Sequence, residues 1–134
     1  MNWFRSLMMS SVAAGMLTLA GPALATSNIT CDAFEGAAVA DILFGAGPVP
    51  AIIDVTVGTG NDYYTTKGLP DAVPLVIARA FTDAETVKID LMDDQAERLL
   101  VSIRLLRSAG EEPLQIGYLQ VGDEPPVGVT CIGP

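Results

Sequence analysis

The chain has 134 residues, with 16 acidic and 7 basic side chains, a formal net charge of −9, two cysteines and no histidine. This length suits a single domain. Without histidine the chain has no imidazole to activate a nucleophile and lacks the usual nitrogen ligand of zinc. Its acidic balance is the opposite of the basic face that binds nucleic acid. We therefore expect no nucleic-acid partner, no metal site and no cofactor.

Residues 1–25 have the pattern of a secretory signal peptide. Arg5 precedes an apolar run from Leu7 to Ala20, and the segment ends in Ala23-Leu24-Ala25. The run is shorter than the roughly 20 apolar residues of a membrane-spanning helix. We expect cleavage after Ala25, which leaves residues 26–134 as one exported domain with 16 acids, 6 bases and no membrane span. Its location would be the periplasm or the cell exterior.

The two cysteines, Cys31 and Cys131, lie near the two ends of this domain. An even number of cysteines in an exported chain predicts a disulfide, here one that joins the N- and C-terminal ends. In the chain-entropy model, closing a loop of about 100 residues contributes about 4–5 kcal/mol to stability. The sequon at Asn28, completed by Thr30, would matter only in a host that glycosylates such sites.

Alternation of apolar and polar residues predicts β-strands, most clearly in a hairpin formed by 86–92 and 98–107. Residues 93–97 are polar and have the length of a hairpin loop. Pairing Leu91 with Leu99 makes every inward-facing pair apolar. The residues expected to face inward are Val87, Ile89, Leu91, Leu99, Val101, Ile103 and Leu105.

The same alternation predicts further strands at 51–57, 75–81, 114–121 and 127–131. We expect Ile53 to face inward in the first of these strands. Arg79 falls on the apolar phase of the second. Gly117 lies where the alternation of the third strand changes phase, which predicts a β-bulge there. Cys131 has the inward phase of the last strand.

One segment fits two structures. Asp32 and Glu35 have the spacing of a capping box, and the alanine-rich residues up to Gly45 favour a short helix near 33–44. Residues 39–43 also fit a strand, because short apolar runs are ambiguous. The chain as a whole predicts an all-β domain, an antiparallel meander that closes into a small barrel or folds as a two-layer sandwich.

Motifs of catalysis and metal binding are incomplete. Gly58 and Gly60 begin a dinucleotide-binding pattern that lacks its third glycine and its helix. The acidic loop from Asp90 to Glu97 lacks the glycine that turns a calcium loop, and it is typical of a solvated turn. Since no acid–base group stands in a recognisable arrangement, we expect no enzymatic activity, with a carboxylate-dependent enzyme as the remaining catalytic alternative.

Residues 58–74 form the longest stretch rich in glycine, proline and polar side chains, and such loops often carry binding residues. Two adjacent tyrosines on a strand must face opposite sides, and tyrosine is favoured at protein interfaces. The alternative is an ordinary hairpin that turns at Asn61 and Asp62. The candidate binding residues are Asn61, Asp62, Tyr63, Tyr64 and Lys67.

Two pieces of this stretch resemble loops of the bacterial periplasmic inhibitors of C-type lysozyme, which are small barrels with a cysteine near each end. The piece from Thr59 to Tyr63, TGNDY, is similar to their serine-glycine-x-x-tyrosine loop. The piece from Tyr64 to Gly68, YTTKG, is similar to their later loop that ends in lysine-glycine. Here the two pieces abut and threonine replaces serine. The resemblance implies an acidic barrel that binds a basic enzyme.

Together these features predict a small, exported, acidic protein that acts as a non-catalytic binding module in the periplasm or cell envelope. Its partner would be another protein or an envelope component, and the excess of 16 acids over 6 bases in the exported domain would suit a cationic one. The alternative is a proteinaceous inhibitor of a cationic hydrolase such as lysozyme.

Overall fold

The computed structural model describes residues 26–47, 51–111 and 113–133, so the predicted leader at 1–25 lies outside the described residues. No helix among the described residues is long and apolar enough to cross a membrane. The strands in chain order are β1 (Ser27–Ala33), β2 (Ala38–Gly45), β3 (Ala51–Thr59), β4 (Asp62–Thr65), β5 (Val73–Thr82), β6 (Thr86–Asp93), β7 (Leu99–Arg107), β8 (Gln115–Val121) and β9 (Val127–Ile132).

The strands form a closed barrel in which each strand pairs with the next one along the chain and β9 returns to β1. Strand directions alternate around the barrel except between β4 and β5, which are parallel. One parallel pair is required, because an odd number of strands cannot alternate in direction all the way round a closed ring. The predicted all-β meander and its closure into a barrel are confirmed, and the sandwich alternative is wrong.

The core fills the barrel with aliphatic side chains from alternate positions of the strands. Its largest fully buried members are Ile29, Ile42, Val55, Val57, Val87, Ile89, Leu91, Val101, Ile103, Leu105 and Leu119. Cys31 of β1 and Cys131 of β9 lie directly opposite each other and form a disulfide. The predicted covalent link between the two ends is therefore confirmed, and it spans the strand pair that closes the barrel.

The short helix expected near 33–44 is wrong. The segment contains the end of β1, a turn and most of β2. In β2 the residues Ala38, Ala40, Ile42 and Phe44 are buried, and the residues between them are more exposed. The alanines at inward positions favour a helix by composition, and they therefore obscured the period-two pattern of a strand. The capping-box residues belong instead to β1 and a tight turn, in which the N–H of Gly36 donates to the carbonyl of Ala33.

The β6–β7 hairpin exists, but its predicted register is wrong by two residues. Leu91 lies opposite Val101, and a bulge at Leu100 sends Leu99 to the surface, where 54% of it is exposed. A shift of two residues keeps every side chain on the same face, so the apolar pattern alone does not distinguish the two registers. The loop decides, because Asp93 Oδ1 accepts the backbone N–H groups of Glu97 and Arg98.

Two further bulges correct the predicted phases of β3 and β5. In β3, the register with β2 skips Ile53, which is therefore exposed and does not face inward as expected. In β5, the register with β6 skips Ala78, which moves Arg79 off the inward phase and places it opposite Asp90. The same shift places Phe81 next to Lys88, whose Nζ lies 5.9 Å from the ring centre.

The bulge expected at Gly117 is wrong, since β8 pairs in continuous register with both β7 and β9. Gln115 is the inward-facing residue, whereas Ile116 and Tyr118 lie on the outer wall. Gly117 has a different role: a Cβ at this position would collide with the backbone carbonyl of Arg104 on the neighbouring strand.

Candidate functional site

Four hairpin turns lie at one end of the barrel, because the strands that lead into them, β1, β3, β6 and β8, run in the same direction. They are the turns of the β1–β2, β3–β4, β6–β7 and β8–β9 hairpins. These turns and the first residue of β4 carry six exposed carboxylates and one base, Arg98. The acids are Glu35, Asp62, Asp94, Glu97, Asp123 and Glu124. We refer to this concentration of negative charge as the acidic end.

A cavity of about 680 Å³ opens between three of these turns. Its apolar lining comes from β2, β8 and β9, and includes Ala38, Leu119, Val121 and Val127. The half-buried ring of Tyr64 packs against the core and also lines the cavity. Asp62, Asp123 and Glu124 lie at its rim. The cavity therefore combines an apolar lining with a negatively charged opening.

The predicted binding residues lie at different places. Asp62 and Tyr64 both line the cavity, and Asn61 lies in the adjoining turn. Tyr63 faces outward, as expected for one of two adjacent tyrosines, and 57% of it is exposed beside Gly58. Lys67 lies in a separate groove on the outer wall, with Asp41 and Asp54. The structure thus brings Asp62 and Tyr64 together and leaves Lys67 apart.

Sequence reasoning missed the contribution of the β8–β9 turn. Asp123 and Glu124 are not among the predicted binding residues, yet they share the cavity with Asp62, some 60 residues earlier in the chain. In a strictly alternating meander the β3–β4 and β8–β9 turns would lie at opposite ends, and the parallel pair of β4 and β5 brings them to the same end. The order of strands around the barrel was needed to place the two turns side by side.

The chain matches no known protein family, no curated protein and no solved structure. We therefore infer function from the geometry of the acidic end alone.

Two acidic residues of the β6–β7 hairpin, Asp90 and Asp93, have protein partners. Asp90 Oδ1 accepts a hydrogen bond from Ser102 and forms a 2.7 Å ion pair with Arg104. Asp93 Oδ1 is occupied by backbone N–H groups of the loop, at 2.8 and 3.3 Å. Among the described residues, no group of three or more acidic or cysteine side chains is arranged to hold a metal ion. These two acids therefore stabilise the hairpin.

Two groups with shifted pKa values lie at the opposite end of the barrel. Hydrogen bonds from the backbone N–H groups of Glu85 and Thr86 lower the pKa of the Asp83 carboxyl. Burial lowers the pKa of the Arg107 guanidinium, which remains protonated at neutral pH. Both groups hold turns and strand ends together and lie away from the cavity.

Proposed function

We propose that the protein is a non-catalytic binding module whose acidic end recognises a cationic partner protein. The observation that carries the proposal is the cavity, in which an apolar lining leads to a rim formed by Asp62, Asp123 and Glu124. A lysine or arginine side chain combines an aliphatic stem with a charged head, so it is complementary to such a site. The ring of Tyr64 adds an aromatic surface for the stem or the charge.

The distribution of charge also favours this function. Six acids at one end of a molecule with net charge −9 create a directional field that steers a cationic partner toward the cavity. Steering of this kind raises the association rate and weakens as salt is added. We therefore expect the association rate of the partner to fall with ionic strength more steeply than its dissociation rate changes.

An inhibitor of a cationic hydrolase such as C-type lysozyme is the second candidate. The piece from Thr59 to Tyr63 that resembles an inhibitor loop forms the β3–β4 turn, and Thr59 and Asp62 line the cavity. The second piece does not join it there, because Lys67 lies on the outer wall. The general binding module is therefore the first proposal, and lysozyme inhibition is a specific form of it.

The test compares two triple variants that remove the same charge from different places. One carries Asp62→Asn, Asp123→Asn and Glu124→Gln at the acidic end. The control carries Asp32→Asn, Glu85→Gln and Glu111→Gln, which are exposed acids that do not line the cavity. The immobilised proteins are used to capture partners from envelope and culture extracts, and C-type lysozyme serves as a defined cationic probe.

We expect the control triple to retain the captured partner and the acidic-end triple to bind it about tenfold more weakly or not at all, a loss of about 1.4 kcal/mol or more. Equal loss in both variants would show a non-specific effect of net charge, and equal retention would show that binding does not use the cavity. Lysozyme that binds neither variant nor the original protein would eliminate the second candidate alone.

We also propose that the protein is exported and cleaved after Ala25. The disulfide between Cys31 and Cys131 supports this, because such bonds persist mainly in oxidising compartments. The intact mass of protein isolated from envelope or culture fractions should begin at Thr26. Since Trp3 is the only tryptophan, that protein should emit tyrosine fluorescence alone. Tryptophan emission from it would show that the leader is retained.

A further inference from the structure

The fourth strand is much shorter than its two neighbours. β4 has four residues, whereas β3 has nine and β5 has ten. β4 pairs with the second half of β3, and with β5 only at Val73 and Pro74. Beyond it, Thr66 still bonds to Val55 through its N–H and hydroxyl. Past this point, no described strand lies between residues 51–54 of β3 and residues 75–82 of β5, and we term this gap the lane.

The lane is one strand wide where it begins. At the end of the lane nearer the acidic turns, β4 lies between β3 and β5 and pairs with both. The two flanking strands are therefore two strand spacings apart there, about 9.5 Å. Each flanking strand pairs along its other edge, β3 with β2 and β5 with β6. Backbone N–H and C=O groups of a strand point alternately to both edges. Both sides of the lane therefore offer hydrogen-bonding groups.

The inward face of β5 is uncovered along the lane. Ile77 lies opposite Leu91 and Ala80 lies opposite Ile89, and both of these β6 residues are fully buried. Nevertheless, 36% of Ile77 is exposed, and Ala80 is exposed as well. Residues that point toward a barrel interior and remain exposed lack a side chain packed over them. An incoming apolar side chain would complete the packing at this place.

We propose that the lane binds an extended segment of a partner protein, which adds a tenth strand to the barrel. Main-chain hydrogen bonds to β3 and β5 hold the segment, and apolar side chains at alternate positions cover Ile77 and Ala80. The segment is polar at the intervening positions, which face solvent. This site lies toward the end of the barrel opposite the acidic turns, so it does not depend on the proposed function of the cavity.

A second copy of this chain does not fit the lane. Its own β5 is already paired with β6, and a strand within a sheet cannot enter a gap that is flanked on both sides. The bulge at Ala78 and the charge of Arg79 on β5 are features that disfavour edge-to-edge pairing of sheets. A single extended segment avoids the first obstacle and can pair on either side of the bulge.

The probe is a short synthetic peptide in which valine alternates with threonine between terminal glutamines, so that it carries no cationic side chain for the acidic end. One control peptide has the same composition with the valines in a block, and a second has N-methyl groups on alternate residues, which remove the hydrogen-bond donors of one of its two edges. Amide hydrogen exchange of the protein is measured with each peptide. We expect exchange to slow about tenfold at 51–54 and 75–82 with the alternating peptide and to change little with either control.

Protein variants provide the second arm. Ala80→Lys places a long cation in the lane, and we expect it to weaken binding of the alternating peptide about tenfold. Ile77→Thr is a milder change and should weaken binding less. Leu106→Lys on the outer wall is the matched control, since Leu106 is also exposed on a strand, and should leave binding unchanged. The acidic-end triple variant should also bind this peptide normally, which separates the two proposals.

Several outcomes would overturn the proposal. The first is that the N-methylated peptide protects the protein's amides from exchange as well as the alternating peptide does. The second is that protection does not include residues 75–82. The third is that these amides already exchange slowly in the free monomer. Protection of 75–82 that rises with protein concentration, together with a doubled mass, would show that a second copy covers the edge instead.

Discussion

At the end of the barrel opposite the acidic turns, Nε of Arg107 donates a 3.0 Å hydrogen bond to Oε1 of Gln115, a side chain with no exposed surface. The amide nitrogen of Gln115 in turn donates to the carbonyl of Gly133 at 3.1 Å. A guanidinium nitrogen of Arg107 reaches the carbonyl of Asp83 at 3.3 Å. Two side chains thus connect β7 and β8 with the chain after β9 and the β5–β6 turn.

This connection predicts a large effect of Gln115→Ala. The substitution leaves Nε of Arg107 and the carbonyl of Gly133 without the Gln115 side chain that bonds them, and we expect the free energy of unfolding to fall by about 1–3 kcal/mol. Urea denaturation followed by circular dichroism measures it. Gln120→Ala on the same strand is the control, since Gln120 makes one exposed hydrogen bond. This substitution should lower the free energy of unfolding by less than about 0.5 kcal/mol. Equal costs would mean that the buried connection contributes little.

Gln115 also shows why the phase of a strand is hard to predict from sequence. Leu114 and Ile116 alternate with Gln115, so the pattern favours burying the two aliphatic residues. The opposite phase is correct, because Gln115 finds hydrogen-bond partners that are distant in the chain, while Leu114 and Ile116 remain exposed on the outer wall. A sequence pattern records polarity, and it does not record whether a buried polar group will be satisfied.

Features that depend on local polarity were otherwise predictable. The five C-terminal strands, the meander and the disulfide follow from alternation, turn residues and cysteine number. The bulges at Ile53, Ala78 and Leu100 were not, because each depends on how two strands bond along their length. The candidate site was predictable only in part. Asp62 and Tyr64 lie in the predicted segment, whereas Asp123 joins them only when the barrel closes.

Two glycines on the β8 and β9 strands should respond very differently to alanine. A Cβ at Gly117 collides with the backbone carbonyl of Arg104, which cannot move without disturbing β7. A Cβ at Gly128 meets only the ring of Phe34, which is 67% exposed and free to rotate away. We expect Gly117→Ala to destabilise the fold by about 1–3 kcal/mol or more. Gly128→Ala should stay within about 0.5 kcal/mol. Thermal unfolding compares them, and similar melting temperatures would contradict this reading of Gly117.

Removal of the disulfide should destabilise the barrel without changing its topology. Cys31 and Cys131 lie opposite each other on paired strands and are 100 residues apart in the chain. Replacing both with alanine restores entropy to the unfolded chain, and we expect a loss of about 2–4 kcal/mol. Urea unfolding of the double variant and of the oxidised protein measures the difference. Because β1 and β9 keep their hydrogen bonds, the far-ultraviolet circular dichroism spectrum should stay the same; a lost β-sheet spectrum would show that closure depends on the covalent bond.

The pH dependence of stability should contain a contribution from Asp83. Backbone N–H groups of Glu85 and Thr86 lower the pKa of this carboxyl in the folded state, while unfolding returns it to its ordinary value. The folded state therefore gains stability that is complete above the ordinary pKa and disappears as the pH falls through the lowered one. Asp83→Asn should flatten the decline in stability across this acidic range, as followed by denaturant titration at several pH values. Asp32→Asn, on the exposed face of β1, is the control, and an equal flattening in both would contradict the assignment.

The ion pair between Asp90 and Arg104 should contribute modestly as a pair, although removal of either member costs more. The two side chains lie on the outer faces of β6 and β7, where 14% of Asp90 and 30% of Arg104 is exposed. Their closest atoms are 2.7 Å apart. Arg104 also donates to the carbonyls of Ile89 and Ile103, so Arg104→Met loses these bonds together with the ion pair. A double-mutant cycle with Asp90→Asn isolates the pairwise part, which we expect to be about 0.5–1 kcal/mol because water still screens it. A coupling energy near zero would mean that the two carbonyls alone hold Arg104 and that the Asp90 carboxylate contributes nothing to stability.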